Sequence, residues 1–477
     1  MASVKRNLFF NLLLVVSNIA YPLVVFPYVS RVLGPSGIGE SQFVLSFAKY
    51  FTLIAAIGIP IYGVREVAKV AANKELLTKL FSELLVLGAI ASAVFSVVYA
   101  LLVLAMPDFR HLQLLCWIAG LQIVLAFTSV DWLFYGKESF KNLATRSIGI
   151  KLGTVALVFL LVKTPNDIVP YMLVSVLSLL MLQCWNMYTA IQKTGLVYSG
   201  LNLKRHLPSL TVIFLTGICT SMYTAFDTTL LGLLDSVQEV GFYATSVRIA
   251  KMLIPIVSAI SIVIIPKVVH EFGKEGANYA FHQKSFSFIL ELSVPLMFGL
   301  YLLAHEWVVL LAGSNFEPAV ATLQILSPIT LLVGLNNLFG MQVLSASGNE
   351  RTLLYIVAIA MVLSVLLNVW LIPTLHHTGA AIALLATEAF VTLATFIAAH
   401  QKYRITFPWR SLAWSIISSL PFMLVVWVFR FAELSVFSYT LSVVLFCLLS
   451  YGSVQLFVFR NESWIQLKET FKSYLGK

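Results

Sequence analysis

Four cations stand inside long apolar segments of this chain: Lys49, Lys151, Arg248 and Lys251. Lys49 shares a helical stripe with Gln42 and Ser46, and Arg248 and Lys251 share one with Thr245. Cations converging in a dry cavity would neutralise an anion of about two charges, such as a diphosphate, because each charge–charge contact strengthens as water is excluded. Two structural readings stand beside that one. Lys49 and Lys251 could each pair with a carboxylate or a carbonyl, and Lys151, one turn inside its helix, could snorkel to the headgroups. Arg31, at the outer end of the first apolar segment, is a later contact for the same anion. Three carboxylates also fall in apolar runs: Asp227, Glu291 and Glu388. Asp227 closes a polar stripe with Thr216, Thr220 and Tyr223, and suits either a counter-ion for Arg248 and Lys251 or a site for a proton or sodium ion. Glu291 and Glu388 could titrate if buried or simply bond helix to helix. Asn11, Asn18, Tyr21 and Tyr28 give the first helix a polar face, and Asp131 beside Trp132 reads as an interfacial anchor.

Several chemistries are absent. His376 and His377 are adjacent imidazoles without further ligands nearby in sequence, so no metal is expected. No Gly-rich phosphate loop precedes a Lys-Ser or Lys-Thr pair, so no nucleotide or other cofactor is expected. Cys116, Cys184, Cys219 and Cys447 all sit in apolar runs and read as small buried side chains.

The elements that must position these residues are membrane helices. The 477 residues are 59% hydrophobic and 11% charged, and the mean hydropathy is +0.91, far beyond a water-soluble domain. Runs long enough to cross a bilayer, about 20 residues each, fall near 8–29, 41–62, 81–105, 112–134, 147–163, 168–190, 209–231, 241–265, 285–304, 319–342, 353–371, 379–399, 411–429 and 436–458. The fold class expected is therefore an all-α polytopic membrane protein of fourteen transmembrane helices. The net charge of +10 must be read against these spans and not as a nucleic-acid footprint. Of the 31 Lys and Arg, twenty-three fall on the N-terminal side of the membrane and four on the other, which predicts that both termini are cytoplasmic. The first run lacks a small-residue cleavage site and reads as a span. Residues 63–80 and 266–284 read as short amphipathic pieces at headgroup level.

The spans repeat. Leu33-Gly34 and Leu231-Gly232 end one span, Gly39 and Gly241 open the next, and Lys49 and Lys251 follow each glycine by ten residues, roughly 15 Å down a helix. Leu112-Gln113 and Leu323-Gln324 open matching spans, which close at Tyr135-Gly136-Lys-Glu138 and Ser347-Gly348-Asn-Glu350. The pattern predicts two six-helix bundles of equal topology, 1–200 and 201–400, as a parallel repeat, followed by an unpartnered helix pair and cytoplasmic tail in 401–477.

The run from Asn11 through Arg31-Val-Leu-Gly-Pro, then Gly58-Ile-Pro-Ile-Tyr-Gly-Val-Arg-Glu, Asp131-Trp-Leu-Phe-Tyr-Gly-Lys-Glu, Pro295-Leu-Met-Phe-Gly-Leu, Leu323-Gln-Ile-Leu-Ser-Pro and Ser345-Ala-Ser-Gly-Asn-Glu-Arg resembles bacterial polysaccharide-repeat flippases of the multidrug/oligosaccharidyl-lipid/polysaccharide exporter superfamily. The likeness extends to about residue 400. It implies two bundles forming a V around a central cavity, with alternating access in the bacterial inner membrane. It also implies a substrate, an undecaprenyl-pyrophosphate-linked oligosaccharide moved from the cytoplasmic to the periplasmic leaflet for O-antigen or exopolysaccharide. The partners expected are that lipid-linked oligosaccharide, a coupling proton or sodium ion, and membrane lipids. The resemblance leaves open a partnership with polysaccharide polymerase machinery and implies no nucleic acid. On this reading Lys49, Arg248, Lys251, Arg31, Lys151, Asn18 and Tyr223 contact substrate, and Asp227, Glu388 and Glu291 handle the coupling ion. Two alternatives remain. One is a drug or organic-cation antiporter of the same superfamily, which calls for a carboxylate-rich, aromatic cavity. The other is a membrane enzyme acting on lipid-linked sugars, which would need paired carboxylates or a metal loop at a membrane surface; no loop exceeds about twenty residues, so a transporter and not an enzyme is expected.

Overall fold

The computed structural model describes residues 2–137, 139–255, 257, 277–345, 349–432, 434–459 and 464. The described residues are helical almost throughout, as lipid requires of a chain whose backbone groups must bond internally. In chain order the α-helices are α1 (Ala2–Ala55), α2 (Ile59–Val70), α3 (Lys74–Ala105), α4 (Gln113–Val124), α5 (Asp131–Gly136), α6 (Phe140–Leu161), α7 (Ile168–Thr194), α8 (Leu207–Leu234) and α9 (Val237–Lys251). They continue with α10 (Ala277–Leu302), α11 (Ala304–Leu311), α12 (Ala319–Leu326), α13 (Ile329–Asn336), α14 (Glu350–Tyr403), α15 (Trp409–Ser419), α16 (Pro421–Phe429) and α17 (Val436–Ser453).

Among the described residues, nine helices are long and apolar enough to cross a membrane. The number is eleven if each of two bent pairs, Pro107–Val124 with Ala126–Gly136 and Leu203–Thr211 with Ile213–Thr224, makes one span. The expected total of fourteen is finer than this count. The expected eighth span, 241–265, and the amphipathic piece 266–284 lie partly outside the described residues. Both 54-residue helices are broken inside: α1 at Gly34, where φ is 68° and ψ −177°, and α14 at His376, where φ is 53° and ψ −135°. A left-handed φ is available to glycine without a Cβ clash, and Pro35 then starts the next helical stretch with its φ already set.

Contacts divide the chain into two compact units, Met1–Gly241 and Phe242–Lys477. In the first, α1 packs against α3, α4, α6 and α8, and α2 against α3 and α5. Its core includes Phe81, Leu84, Trp132 and Tyr62. Trp132 is 3% exposed and lies on Gly63, where a Cβ would come 2.6 Å from the ring. The indole is therefore a core side chain and no interfacial anchor. Between α6 and α7, Asp167 Oδ2 accepts from the backbone N–H groups of Lys163 and Thr164 at 2.9 and 2.7 Å, and these bonds hold this exposed carboxyl below its ordinary range.

The first unit takes in α8 because the downstream part of α1 packs along it in antiparallel register. Gly39 meets Val237, Phe43 covers Gly232, Ser46 bonds Thr229, the Tyr50 ring stands edge-on to Phe226, and Gly58 meets Ile213. The α1 part of this seam, Gly39 to Tyr50, spans roughly 16 Å of helix. The two repeated glycines touch backbone: a Cβ on Gly39 would fall 1.6 Å from Val237 O, and one on Gly241 would fall 2.1 Å from Pro35 O.

In the second unit, Phe286, Phe339, Phe396 and Phe407 form an aromatic core. The C-terminal helices α15 to α17 dock on α10 and α11 around Phe422, Tyr439 and Cys447. Tyr451 Oη donates to the carbonyl of Glu291 there.

Candidate functional site

In the first unit, Lys49 projects from the α1 face that follows the α8 seam. It is exposed and makes no hydrogen bond or ion pair with any described residue. One turn before it, Ser46 Oγ and Thr229 Oγ1 are 3.0 Å apart, and beside it Tyr50 meets Phe226 with ring centroids 5.2 Å apart. The Tyr50 hydroxyl is buried beside them. Asp227, between Phe226 and Thr229 in sequence, is fully buried, and Tyr223 is 3% exposed. The polar stripe read on this helix is thus buried at Tyr223 and Asp227 and half-buried at Thr216 and Thr220.

Lys151 and Asn18, 133 residues apart, are brought together: Lys151 Nζ donates to Asn18 Oδ1 and, at 3.2 Å, to Ser17 Oγ. The half-buried ammonium is held across to α1, which differs from a free snorkelling stem. Arg31 is exposed, and its Nη1 donates to Pro27 O at 2.7 Å, satisfying a carbonyl at the helix end before Gly34. Asp131, read as an interfacial group, is instead one end of a chain of side chains. Asn186 Nδ2 donates to Asp131 Oδ1 at 2.7 Å, Arg146 Nη1 donates to Asn186 Oδ1 at 2.9 Å, and the Arg146 guanidinium lies 5.6 Å from the Phe134 ring centroid.

In the second unit, Arg248 and Lys251 are half-buried on α9. Thr245, on their stripe, is fully buried, and its hydroxyl has no hydrogen-bond partner among the described residues. Next to it Ser246 Oγ donates to Ala319 O at 2.7 Å and fixes α9 against α12. Glu388 is 2% exposed and accepts from Asn336 Nδ2 at 3.3 Å. Glu291 is 2% exposed, within α10. His377 shares a hydrogen bond with Thr322 and stands edge-on to Phe242, a packing role. Among the described residues no group of three His, Cys, Asp or Glu side chains could hold a metal ion.

Lys49 is a cation without a partner among the described residues, and Asp227, Glu388 and Glu291 are buried; the family is shown by sequence. The profile of the family "Polysaccharide biosynthesis protein" matches residues 4–272, more than half the chain. The chain belongs to the polysaccharide biosynthesis protein family. A second profile, MatE, matches residues 213–370. Two relatives described as "Putative O-antigen transporter" are similar across most of their length. The one from Escherichia coli (strain K12) is 26% identical, covering 82% of this chain and 95% of its own. The one from Shigella dysenteriae is 22% identical, covering 82% and 98%. The solved structure of the lipid II flippase MurJ in an inward closed conformation superposes with a TM-score of 0.75 at 15% identity, over 95% of this chain and 99% of that one, which shows the fold. The resemblance read from the motifs is borne out, and this is a multi-pass membrane protein of the polysaccharide biosynthesis family.

One cluster in this polysaccharide biosynthesis protein was missed by sequence reasoning. Glu83, fully buried in α3, accepts from Asn202 N at 2.8 Å through Oε1, and through Oε2 meets His206 Nε2 at 2.9 Å and Arg205 Nη2. His206 Nδ1 is 2.7 Å from Tyr62 Oη. Thr78 Oγ1 donates to Thr194 O, and Ser82 Oγ accepts from Val197 N, so the segment between α7 and α8 is fastened along α3. The signal was available: Glu83 interrupts the apolar run Leu80-Phe-Ser-Glu-Leu-Leu, where a carboxylate needs a partner.

Proposed function

We propose that the protein carries a lipid-linked oligosaccharide, joined through a diphosphate, from the cytoplasmic to the periplasmic leaflet of a bacterial inner membrane by ion-coupled alternating access. The observation that carries this reading is Lys49, a cation inside a span, exposed and without a partner among the described residues. Such a charge is expensive in lipid unless it meets water or an anion, and a diphosphate supplies the anion. The O-antigen relatives support the substrate class. On this reading Lys49 contacts the diphosphate, and Arg248 and Lys251 are the second unit's own candidates for contact with such a group. Lys151 with Asn18, Tyr223 and Arg31 are further substrate contacts, and Asp227, Glu388 and Glu291 are the ion-coupling carboxylates.

The topology we propose has fourteen spans, with cytoplasmic termini and repeats over 1–200 and 201–400 before the pair in 401–477. The breaks at Gly34 and His376 support it, because a 54-residue helix is roughly 80 Å long against a hydrocarbon core of about 30 Å. An organic-cation antiporter draws on the MatE match, but an unpaired Lys49 would repel its substrate.

The test replaces Lys49 and Lys251 singly with Ala and with Arg in a strain lacking its own flippase, confirms insertion by immunoblot, and measures surface glycan. Lys49→Ala should lose at least about tenfold in export, the scale of a lost charge-assisted bond, with Lys49→Arg partly active. Normal export by both Ala variants refutes the diphosphate role.

A further inference from the structure

The stretch from Ala319 to Ser345 is built in three pieces: α12, α13 and a π-helical segment, Asn337–Ser345. A π turn widens the helix and re-aims its side chains, and such turns recur at functional sites. Asn336 is the residue at the change from α to π. Its Nδ2 donates to Glu388 Oε2 at 3.3 Å, while its Oδ1 leans on Gly340, where a Cβ would come within 3.2 Å. One turn along α14, Thr392 Oγ1 donates to Leu332 O at 3.1 Å, so one polar face of α14 is set against α13.

The elements packed against this part of α14 are α12, α13 and the π segment. α12, α13 and the π segment carry no charged or titratable side chain. The neighbouring α9, whose Ala250 carbonyl accepts from Thr330 Oγ1 at 3.3 Å, carries Arg248 and Lys251. The amide turns its N–H toward the carboxylate and its oxygen toward Gly340. That orientation suits an acid that gains and loses a proton. A sodium ion in the same place would call for the amide oxygen to turn toward the carboxylate, since hard cations are held by converging oxygens.

We propose that Glu388 carries the coupling proton in the second unit and that Asn336, set by the π turn and Gly340, is its positioning residue. This rests on the transport reading above. One proton binds a Glu388 carboxylate oxygen from one side of the membrane to give the neutral acid, and the same proton leaves to the other side; only that O–H bond forms and breaks. Asn336 supplies a donor to the ionised form, which is costly to bury without one.

The test measures surface glycan from a flippase-deficient, EDTA-treated strain carrying each variant, with and without nigericin, which collapses the pH difference, and with choline replacing sodium. Wild type should lose about tenfold in export with nigericin, the scale of removing one charged hydrogen-bond partner, and nothing with choline. Glu388→Gln should show that low export already, with no further effect of nigericin. Asn336→Leu should behave similarly, and Asn336→Ser, which keeps a donor, should restore nigericin-sensitive export. A purely structural role would lower membrane protein on immunoblots without changing the nigericin ratio. Nigericin sensitivity retained in Glu388→Gln, or export abolished by choline, overturns the proposal. If wild type restores no glycan, the transport reading fails separately, and infrared titration of purified protein still decides the proton site: a protonated-carboxyl band lost in Glu388→Gln supports it, and a band unchanged in that variant overturns it.

Discussion

Removing Glu83 should destabilise the first unit chiefly through His206 and Asn202, with Arg205 contributing least. The carboxylate is fully buried, as is His206, but the Arg205 side chain is 45% exposed. In Glu83→Ala the buried His206 Nε2–H and Asn202 N–H lose their acceptor, at about 1–3 kcal/mol each. Arg205 turns to water, so its exposed pair is worth at most about 1 kcal/mol. The total is about 2–7 kcal/mol, which brackets the about 3–5 kcal/mol for breaking a buried ion pair from one side. Glu83→Gln keeps one acceptor oxygen and should lose roughly half as much. Purified protein in mild detergent, unfolded by titration with SDS and followed by tryptophan fluorescence, gives the stabilities. A double-mutant cycle then separates the partners: Glu83→Ala should couple more strongly to His206→Ala than to Arg205→Ala. A coupling to Arg205 that equals or exceeds the one to His206 refutes this ranking. So does a loss below about 1 kcal/mol in Glu83→Ala, because the carboxylate would then not be holding buried donors.

Gly39→Ala and Gly241→Ala place a methyl carbon 1.6 and 2.1 Å from backbone oxygens, which cannot yield as a flexible side chain would. Each should lose about 3 kcal/mol or more, the upper end of overpacking, whereas Gly149→Ala, with no atom within 4 Å of its added Cβ, should gain roughly 0.5–1 kcal/mol as a helical Gly→Ala change; the same SDS titration compares the three. Asn186→Leu removes the amide between Asp131 and Arg146 and should lose about 2–3 kcal/mol, most of it recovered by combining it with Asp131→Leu, because the unpaired carboxylate then disappears.

The helical membrane class was legible in residues whose meaning is local. Apolar runs announce helices, Gly34 with Pro35 announces a break, and the spacing from Gly39 to Lys49 recurs from Gly241 to Lys251. What the repeat could not give is that the two glycines close on each other's chain, because a missing Cβ says that something approaches and not what. Asn18 and Lys151 were each legible as polar groups in apolar helices; their bond across 133 residues depends on how α1 and α6 pack. Trp132 next to Asp131 misled for a related reason. Its sequence context is that of a membrane-interface anchor, but Gly63 leaves a flat bed for the indole inside the bundle. Asn336 carried no signal, since a neutral amide in an apolar run draws no attention until the helix turns π around it.

The described polar groups within the first unit's spans then sort by whether they satisfy one another. Asp131, Asn186 and Arg146 close one chain, Glu83 with Arg205, His206 and Tyr62 another, and Lys151 with Asn18 and Ser17 a third. Each set offsets the cost of carrying charge or polarity where water is scarce, and each is explained by folding alone. Lys49 is the cation that no such set absorbs. A charge inside a span is therefore a weaker sign of function than its position suggests, because most of the first unit's examples are answered by a partner no sequence window contains. The sign becomes stronger when the described residues supply the other span charges with partners and leave one exposed, since the ligand contact we propose would then give it the partner that folding does not.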